Sequence, residues 1–298
     1  MTRIVRFYLF FLLIATLSAH EVIRYGYDDA GRLISADYGN GNVINYTYDT
    51  AGNLLRREVT AGSRLVSVSS ASFTGGQALA ASLISAGFGP GLAAGTAVAG
   101  APPLPTELLG TRIEITDSNG DVRLAPLFFV SAGQVNYLVP EGTALGLARV
   151  RVVSGAGGEI LGIIRIDAVA PSLYTANKQG TGVAAAFFLR VNPDNSRTQK
   201  LIYDPNTLAA VPIDVSPEAG QVFLLLFGTG FRNFQSGVAA TVGGQSVPTL
   251  DALPQGEFAG LDQINIGPLP AGLAGSGNVN IILTADGKLA NTVTVTIK

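Results

Sequence analysis

Side chains able to do covalent chemistry are scarce in these 298 residues: there is no Cys, no Trp and one His, His20. That removes thiolate nucleophiles, disulfides, iron–sulfur clusters and thiolate zinc sites. It leaves His20 as the one base a Ser–His–Asp triad could use. Glycoside cleavage needs two acids about 5–10 Å apart across a cleft; the 21 acids here mostly sit in turns or at single alternating positions. Asp117-Ser118-Asn119-Gly120-Asp121 has oxygen ligands at alternate positions and could start a calcium loop. No acid follows at the spacing that closes such a loop, and Asn119-Gly120 between strands is sufficient as a hairpin turn. Gly87–Gly91 and Gly228–Gly230 lack the following helix and the Lys-Ser/Thr pair of a phosphate loop, so both read as bends. Gln134/Asn136 and Gln263/Asn265 could display a polar pair, but buried amides in β structure more often satisfy stray backbone groups. No catalytic, cofactor-binding or metal-ligating residue is assigned, no cofactor is expected, and the chain is not read as an enzyme.

The remaining chemistry is aromatic. Tyr25, Tyr27, Tyr38, Tyr46 and Tyr48 alternate with polar residues and with Asn40, Asn42 and Asn45. Such a surface could stack on sugar rings, although tyrosines in hairpins more often pair across strands. They belong to a repeat with a period of 21: Tyr27-Asp28-Asp29-Ala30-Gly31-Arg32-Leu33 returns as Tyr48-Asp49-Thr50-Ala51-Gly52-Asn53-Leu54. The frame Tyr-Asp-x-Ala-Gly-x-Leu puts Gly where a turn needs positive φ, and period-two alternation flanks it. Tyr38–Asn42 marks a further turn.

From about Val66 the chain turns to small-residue β sequence. Ile113-Glu114-Ile115-Thr116, Ile164-Arg165-Ile166-Asp167 and Val293–Ile297 alternate with period two, as strands with one wet face do. A longer repeat lies here: Gln134-Val135-Asn136-Tyr137 recurs as Gln263-Ile264-Asn265-Ile266, an offset of 129 that runs without gaps to the end of the chain. Phe88-Gly89-Pro90-Gly91-Leu92 echoes Phe227-Gly228-Thr229-Gly230-Phe231. The expected architecture is all-β: two tandem immunoglobulin-like β-sandwich modules, residues 70–171 and 215–298, joined by a turn-rich linker, 172–214, behind repeat hairpins at 20–62. Ala184–Val191 in that linker could form a strand.

The stretch Tyr25–Glu58 resembles the YD repeats of Rhs-type bacterial surface and toxin proteins. In that family long arrays wind into a β-shell; two copies cannot, because about three are needed for a stable stack. Phe223–Gly244 resembles an IPT/TIG immunoglobulin-like domain. The region Phe73–Lys298 resembles a C-terminal domain of secreted bacterial proteins. That resemblance is carried by Pro102–Thr106, Ala125–Ser131, Gln134-Val135-Asn136, Ala170-Pro171, Leu225–Gly230, Gly260–Asn265 and Leu273–Gly275. It implies no established activity.

Met1–Ala19 reads as a signal peptide: Arg3 and Arg6, an apolar run from Phe7 to Leu17, then small residues before a cut after Ala19. The run is shorter than the roughly 20 residues a spanning helix needs, and no later segment is long enough, so no stable membrane span is expected after its removal. Loss of Arg3 and Arg6 takes the formal charge from -2 to -4. With no basic cluster, nucleic acid is not an expected partner. The expectation is a secreted, periplasmic or surface protein with a structural, adhesive or interaction role toward a surface macromolecule, protein or glycan. Two alternatives are a carbohydrate-binding module using the Tyr-rich hairpins and a remnant of an Rhs-like toxin system.

Overall fold

The computed structural model describes residues 24–28, 30–37, 42–61 and 65–298. The expected leader Met1–Ala19, His20 and residues 38–41 of the expected turn lie outside the described residues. Those described form an all-β protein of one single-layer sheet and two β-sandwiches, with two short 3-10 turns, Pro217–Ala219 and Ala271–Leu273, and no α-helix among them.

The N-terminal sheet is an antiparallel meander of β1 (Arg24–Tyr27), β2 (Leu33–Asp37), β3 (Asn42–Tyr48) and β4 (Leu54–Ala61). Its two repeat turns, 28–32 and 49–53, therefore lie at the same end of the sheet. Each is followed by one unpaired residue, Ile34 or Leu55, because Tyr27 pairs Leu33 while Gly26 pairs Ser35, and Tyr48 pairs Leu54 while Thr47 pairs Arg56.

In the first sandwich one sheet runs β11 (Val122–Leu124), β10 (Thr111–Thr116), β14 (Gly146–Val153), β15 (Glu159–Asp167) and β6 (Leu79–Ala80), with β9 (Glu107–Leu108) added to β10. Its partner runs β5 (Val66–Ser69), β7 (Ile84–Phe88), β13 (Gln134–Leu138), β12 (Leu127–Val130) and β8 (Ala97–Val98). Period-two alternation sends every second side chain of β10 and β15 inward, where Ile113, Val150 and Ile164 meet Leu127, Val135 and Tyr137 in one core.

The second sandwich repeats the plan. Its sheets are β18 (Arg197–Leu201), β17 (Ala186–Val191), β19 (Gln221–Thr229), β23 (Asp262–Ile266) and β22 (Thr249–Pro254), with β16 (Ser172–Leu173) on β19, and β21 (Gln245–Val247), β20 (Val238–Val242), β24 (Gly277–Ala285) and β25 (Lys288–Leu289), with β26 (Val293–Ile297) on β24. Segment 172–214, expected as a linker, is thus built into this sandwich. Ala186–Val191 pairs with β19 over six residues, and the apolar side chains of Ala186, Phe188, Ile202 and Ile213 join the second core. Turn residues at Asn192–Asn195 and Asp204–Asn206 are hairpin loops here.

Registers match between the copies. Gln134, Val135 and Asn136 pair Phe88, Gly87 and Ala86; Gln263, Ile264 and Asn265 pair Phe227, Leu226 and Leu225. Both copies also carry a register shift on the other side, between Leu127 and Phe129 and between Thr249 and Asp251. The gapless offset fails at the last hairpin. Val150 pairs Gly162, whereas its counterpart Val279 pairs Val295 and not Asn291. The slip is an even number of residues, so the inward faces are kept.

Candidate functional site

Of the places the sequence offered for chemistry, the fold ties the Asp117 loop, the amide pairs and the Gly-rich bends into hydrogen bonds and packing of its own. Asp117 begins a hairpin loop in which its N–H donates to Asp121 O at 3.0 Å and Gly120 N–H returns to Asp117 O at 3.0 Å. Asp28, Asp49, Ser154 and Asn192 open loops closed by the same two bonds. The fourth residue of each loop, Gly31, Gly52, Gly120, Gly157 or Asn195, has φ between +64° and +94°. This is a type I turn ending in a left-handed residue, which lets the hairpin keep its twist. The Asp117 carboxylate, with no exposed side-chain surface, accepts N–H groups of Asn119 (3.0 Å), Asp121 (3.1 Å) and Ala144 (3.0 Å) and pairs with Arg123 at 2.5 Å. The Ala144 N–H above all, with the other donors against burial, holds its carboxyl below the usual range. Its oxygens face donors, the opposite of what a cation needs, and among the described residues no three His, Cys, Asp or Glu cluster around a metal position.

The two amide pairs bond within themselves, where the expectation was partners among stray backbone groups. Gln134 Nε2 donates to Asn136 Oδ1 at 2.9 Å, and Gln263 Nε2 donates to Asn265 Oδ1 at 2.9 Å. Each pair locks side chains two apart on one strand face. The Gly-rich bends carry Leu92 and Phe231 into the two cores, both fully buried. Leu92 N–H reaches Ala132 O at 3.0 Å, while Phe231 N–H reaches Asp262 Oδ2 at 2.9 Å.

Asp262 belongs to the junction between the sandwiches. It is buried, pairs with Arg232 at 2.6 Å, and its carboxyl is raised above the ordinary value because burial outweighs the Arg232 pair and the backbone donors. Beside it, Thr229 Oγ1 accepts Ile84 N–H of the first sandwich (3.0 Å) and donates to Gly260 O (2.7 Å). Ser70 Oγ and Tyr174 OH lie 2.7 Å apart, Ala170 N–H donates to Gly230 O at 2.9 Å, and Lys288 bonds Asp167. Ala71, Tyr174 and Leu261 form a small buried cluster in the same seam. An open cleft of about 770 Å³ runs along the junction, bordered by Ser82, Glu141, Asp167, Arg232, Gln235 and Pro254. Burial opposes ionisation of Asp167, but Lys288 and Arg165 prevail and hold its carboxyl below the usual value.

The aromatic surface is real but not the one expected. Alternation and register put Tyr25, Tyr27, Ala36, Ile44, Tyr46 and Tyr48 on one face. Tyr46 and Tyr48 are half-buried; Tyr25 and Tyr27 are 54% and 60% exposed. Tyr38 and Asn40 lie outside the described residues. Tyr46 and Tyr48 lie on the interior strand β3, Tyr25 and Tyr27 on the end strand β1, and Arg32 covers Tyr48 further. Its guanidinium sits 5.1 Å from the Tyr48 ring centroid, its Nη1 donates to Asp49 O at 3.3 Å, and Tyr48 OH donates to Leu33 O at 2.8 Å. Arg32 Nε also bonds its own Asp28 Oδ2 at 2.7 Å, as Asn53, the same repeat position one unit later, closes on its own Asp49 Oδ2 at 2.9 Å. Sequence reasoning overlooked Arg32, Thr229 and Asp262, yet a signal was present. Each stands where the other repeat copy has a different residue: Asn53, Pro90 and Gly133.

Compared with known proteins, residues 27–65 match the family model described as RHS Repeat. That segment is an Rhs-type repeat. No curated protein matches the chain. Among solved structures the chain is similar to SGBP-B of the Bacteroides ovatus mixed-linkage glucan utilization locus, solved in complex with a mixed-linkage heptasaccharide. The identity is 11%, the match covers 92% of this chain and 57% of that one, and the TM-score is 0.32. The chain thus spans a little over half the length of that protein.

Proposed function

We propose that the chain is an exported, non-catalytic binding and spacing protein, with its first nineteen residues as leader and its two sandwiches as IPT/TIG-type immunoglobulin-like modules. They hold the Rhs-type sheet toward a surface macromolecule. The observation that carries this reading is the junction: buried hydrogen bonds through Thr229, Tyr174 and Gly230 tie the modules together, as a spacer requires. The acids there support it. Asp167 and Asp262 are each held by a cation, so neither is a poised acid or base.

Incubation of the purified chain with a panel of esters, glycosides and peptides is expected to show no turnover above blank. Turnover lost in Asp167→Asn, the acid bordering the cleft, would overturn the reading.

A second reading is glycan binding by the N-terminal sheet. It is favoured by Tyr25 and Tyr27, two exposed rings on one face of β1. It predicts glycan-array signal lost in Tyr25→Ala and Tyr27→Ala; a signal unchanged in both would remove it.

A further inference from the structure

The cleft between the sandwiches has walls that the rest of the fold holds in place. On the first sandwich the wall is the segment from Pro140 to Leu145. Asp117 Oδ2 accepts Ala144 N–H at 3.0 Å, Ser118 Oγ donates to Leu145 O at 2.6 Å, and Thr143 Oγ1 donates to Pro140 O at 2.7 Å. The Asp117 loop, which offers nothing to a cation, thus fastens this wall. On the second sandwich Arg232 is held by Asp262, and Asp286 accepts the N–H groups of Gln235 (2.9 Å) and Ser236 (2.6 Å). The Thr229–Ile84 and Ala170–Gly230 bonds tie the two sandwiches together, so a ligand entering here has little of the protein left to order.

A third side is β22, an end strand that pairs only with β23 among the described residues. Gln255 N–H donates to Leu261 O at 2.9 Å, one step beyond the Pro254–Asp262 pair. Backbone groups alternate in direction along an antiparallel ladder, so Gln255, Leu253 and Asp251 turn theirs toward β23. Ala252 and Pro254 turn theirs to the outer edge, and both residues line the cleft. Proline at such an edge position costs the ladder no hydrogen bond. The edge still presents the Ala252 N–H and the carbonyls of Ala252 and Pro254, a template for an added strand.

The side chains lining the cleft say what would lie there. Leu145 of the first sandwich and Leu253 of the second are 60% and 57% exposed, which puts open apolar surface on both sandwiches within one cleft. Three charged residues line it. Asp167 is paired with Lys288 and Arg232 with Asp262, whereas Glu141 has no partner among the described residues. An open strand edge matches an extended backbone, the two leucines an apolar side chain, and a lone carboxylate a cation. We propose that the cleft binds an extended peptide segment of a partner protein, added to the outer edge of β22, with an apolar side chain against Leu145 and Leu253 and a Lys or Arg beside Glu141. This goes beyond the reading of the chain as a spacer and makes no use of the N-terminal sheet.

The test uses the full chain and a fluorescein-labelled peptide pool, Ser-Thr-X-Lys-X-Thr-Ser with Val, Leu or Phe at X, read by anisotropy. The expected result is saturable binding, weaker by about tenfold or more for a pool with Glu in place of Lys and for one whose central amides are N-methylated. Glu141→Lys, a change on an exposed turn, should reverse the preference between the Lys and Glu pools and leave the melting temperature in place. No binding of the Lys pool, equal binding of the N-methylated pool, or an unreversed preference in Glu141→Lys overturns the proposal. So does concentration-dependent self-association of the chain alone that Glu141→Lys abolishes, which would assign the cleft to a second copy. Cleavage of the pool, read separately by mass spectrometry, would support the peptide site and overturn the non-catalytic reading, so the two fail apart.

Discussion

Thr229 Oγ1 accepts the backbone N–H of Ile84 at 3.0 Å, a buried hydrogen bond that joins the last residue of β19 in one sandwich to the first residue of β7 in the other. The same hydroxyl donates to Gly260 O at 2.7 Å, so one side chain satisfies two buried backbone groups. Thr229→Val keeps the shape and removes both partners. Each backbone group left unpaired costs about 1–3 kcal/mol. Differential scanning calorimetry of this variant should show a clear drop in melting temperature and a broadened or split transition as the modules uncouple. A trace superimposable on the wild type would show that the stitch contributes nothing.

Asp117 sets a sign for the acid side of the stability curve. Its folded carboxyl is lowered below the ordinary value of 3.8, first by the Ala144 N–H. Below that value the unfolded state takes up the proton first. The contribution of Asp117 is therefore present above pH 3.8 and lost as pH falls through the lower folded value. Urea melts between pH 2 and 5 should show a shallower acid decline in Asp117→Asn than in wild type. An equal or steeper decline in the variant would refute it.

Asp262 carries the opposite sign. Burial raises its folded carboxyl above 3.8 in spite of Arg232, so between 3.8 and the raised value the folded state holds more protons than the unfolded one. Its contribution weakens stability as pH rises through that window. Asp262→Asn retains an acceptor for Phe231 N–H and does not titrate. The difference in unfolding free energy, variant minus wild type, should grow in favour of the variant as pH climbs from about 3.8. A difference that is flat with pH would show that the Arg232 pair cancels the burial cost.

The β character, the turns and both repeats were legible because each rests on a local rule. Ile164-Arg165-Ile166-Asp167 can bury one face only as a strand, and Asp28 through Arg32 closes by bonds within five residues. The linker was misread because Asn192–Asn195 and Asp204–Asn206 look the same whether they separate modules or turn hairpins. What distinguishes them is the pairing of Ala186–Val191 with β19, from Ala186 with Leu226 to Val191 with Gln221, a contact that is far away in sequence. Exposure of the tyrosines was hidden for a like reason. Tyr27 and Tyr48 are equivalent in sequence, but Tyr27 lies on the end strand β1 of the described sheet, whereas Tyr48 lies on the interior strand β3 and is also capped by Arg32. The registry slip in the last hairpin left no trace in the apolar rhythm, since it preserves parity.

Leu92 and Phe231 fill the same slot in the two cores, each fully buried at the end of a Phe-Gly-x-Gly bend. They provide a comparison of how far the modules unfold together. Truncation of a buried Leu to Ala costs about 2–5 kcal/mol and of a buried Phe about 3–5. If the seam of Thr229, Tyr174 and Gly230 couples the sandwiches, Leu92→Ala and Phe231→Ala should each lower one common transition. Followed by calorimetry, both variants should keep a single peak, displaced to lower temperature, with the calorimetric and van't Hoff enthalpies in agreement. Combining Leu92→Ala with Thr229→Val should then part the peak, because the weakened first sandwich no longer draws on the second. If Leu92→Ala alone already gives two peaks, one unmoved, the sandwiches unfold independently and the junction is a contact without thermodynamic coupling.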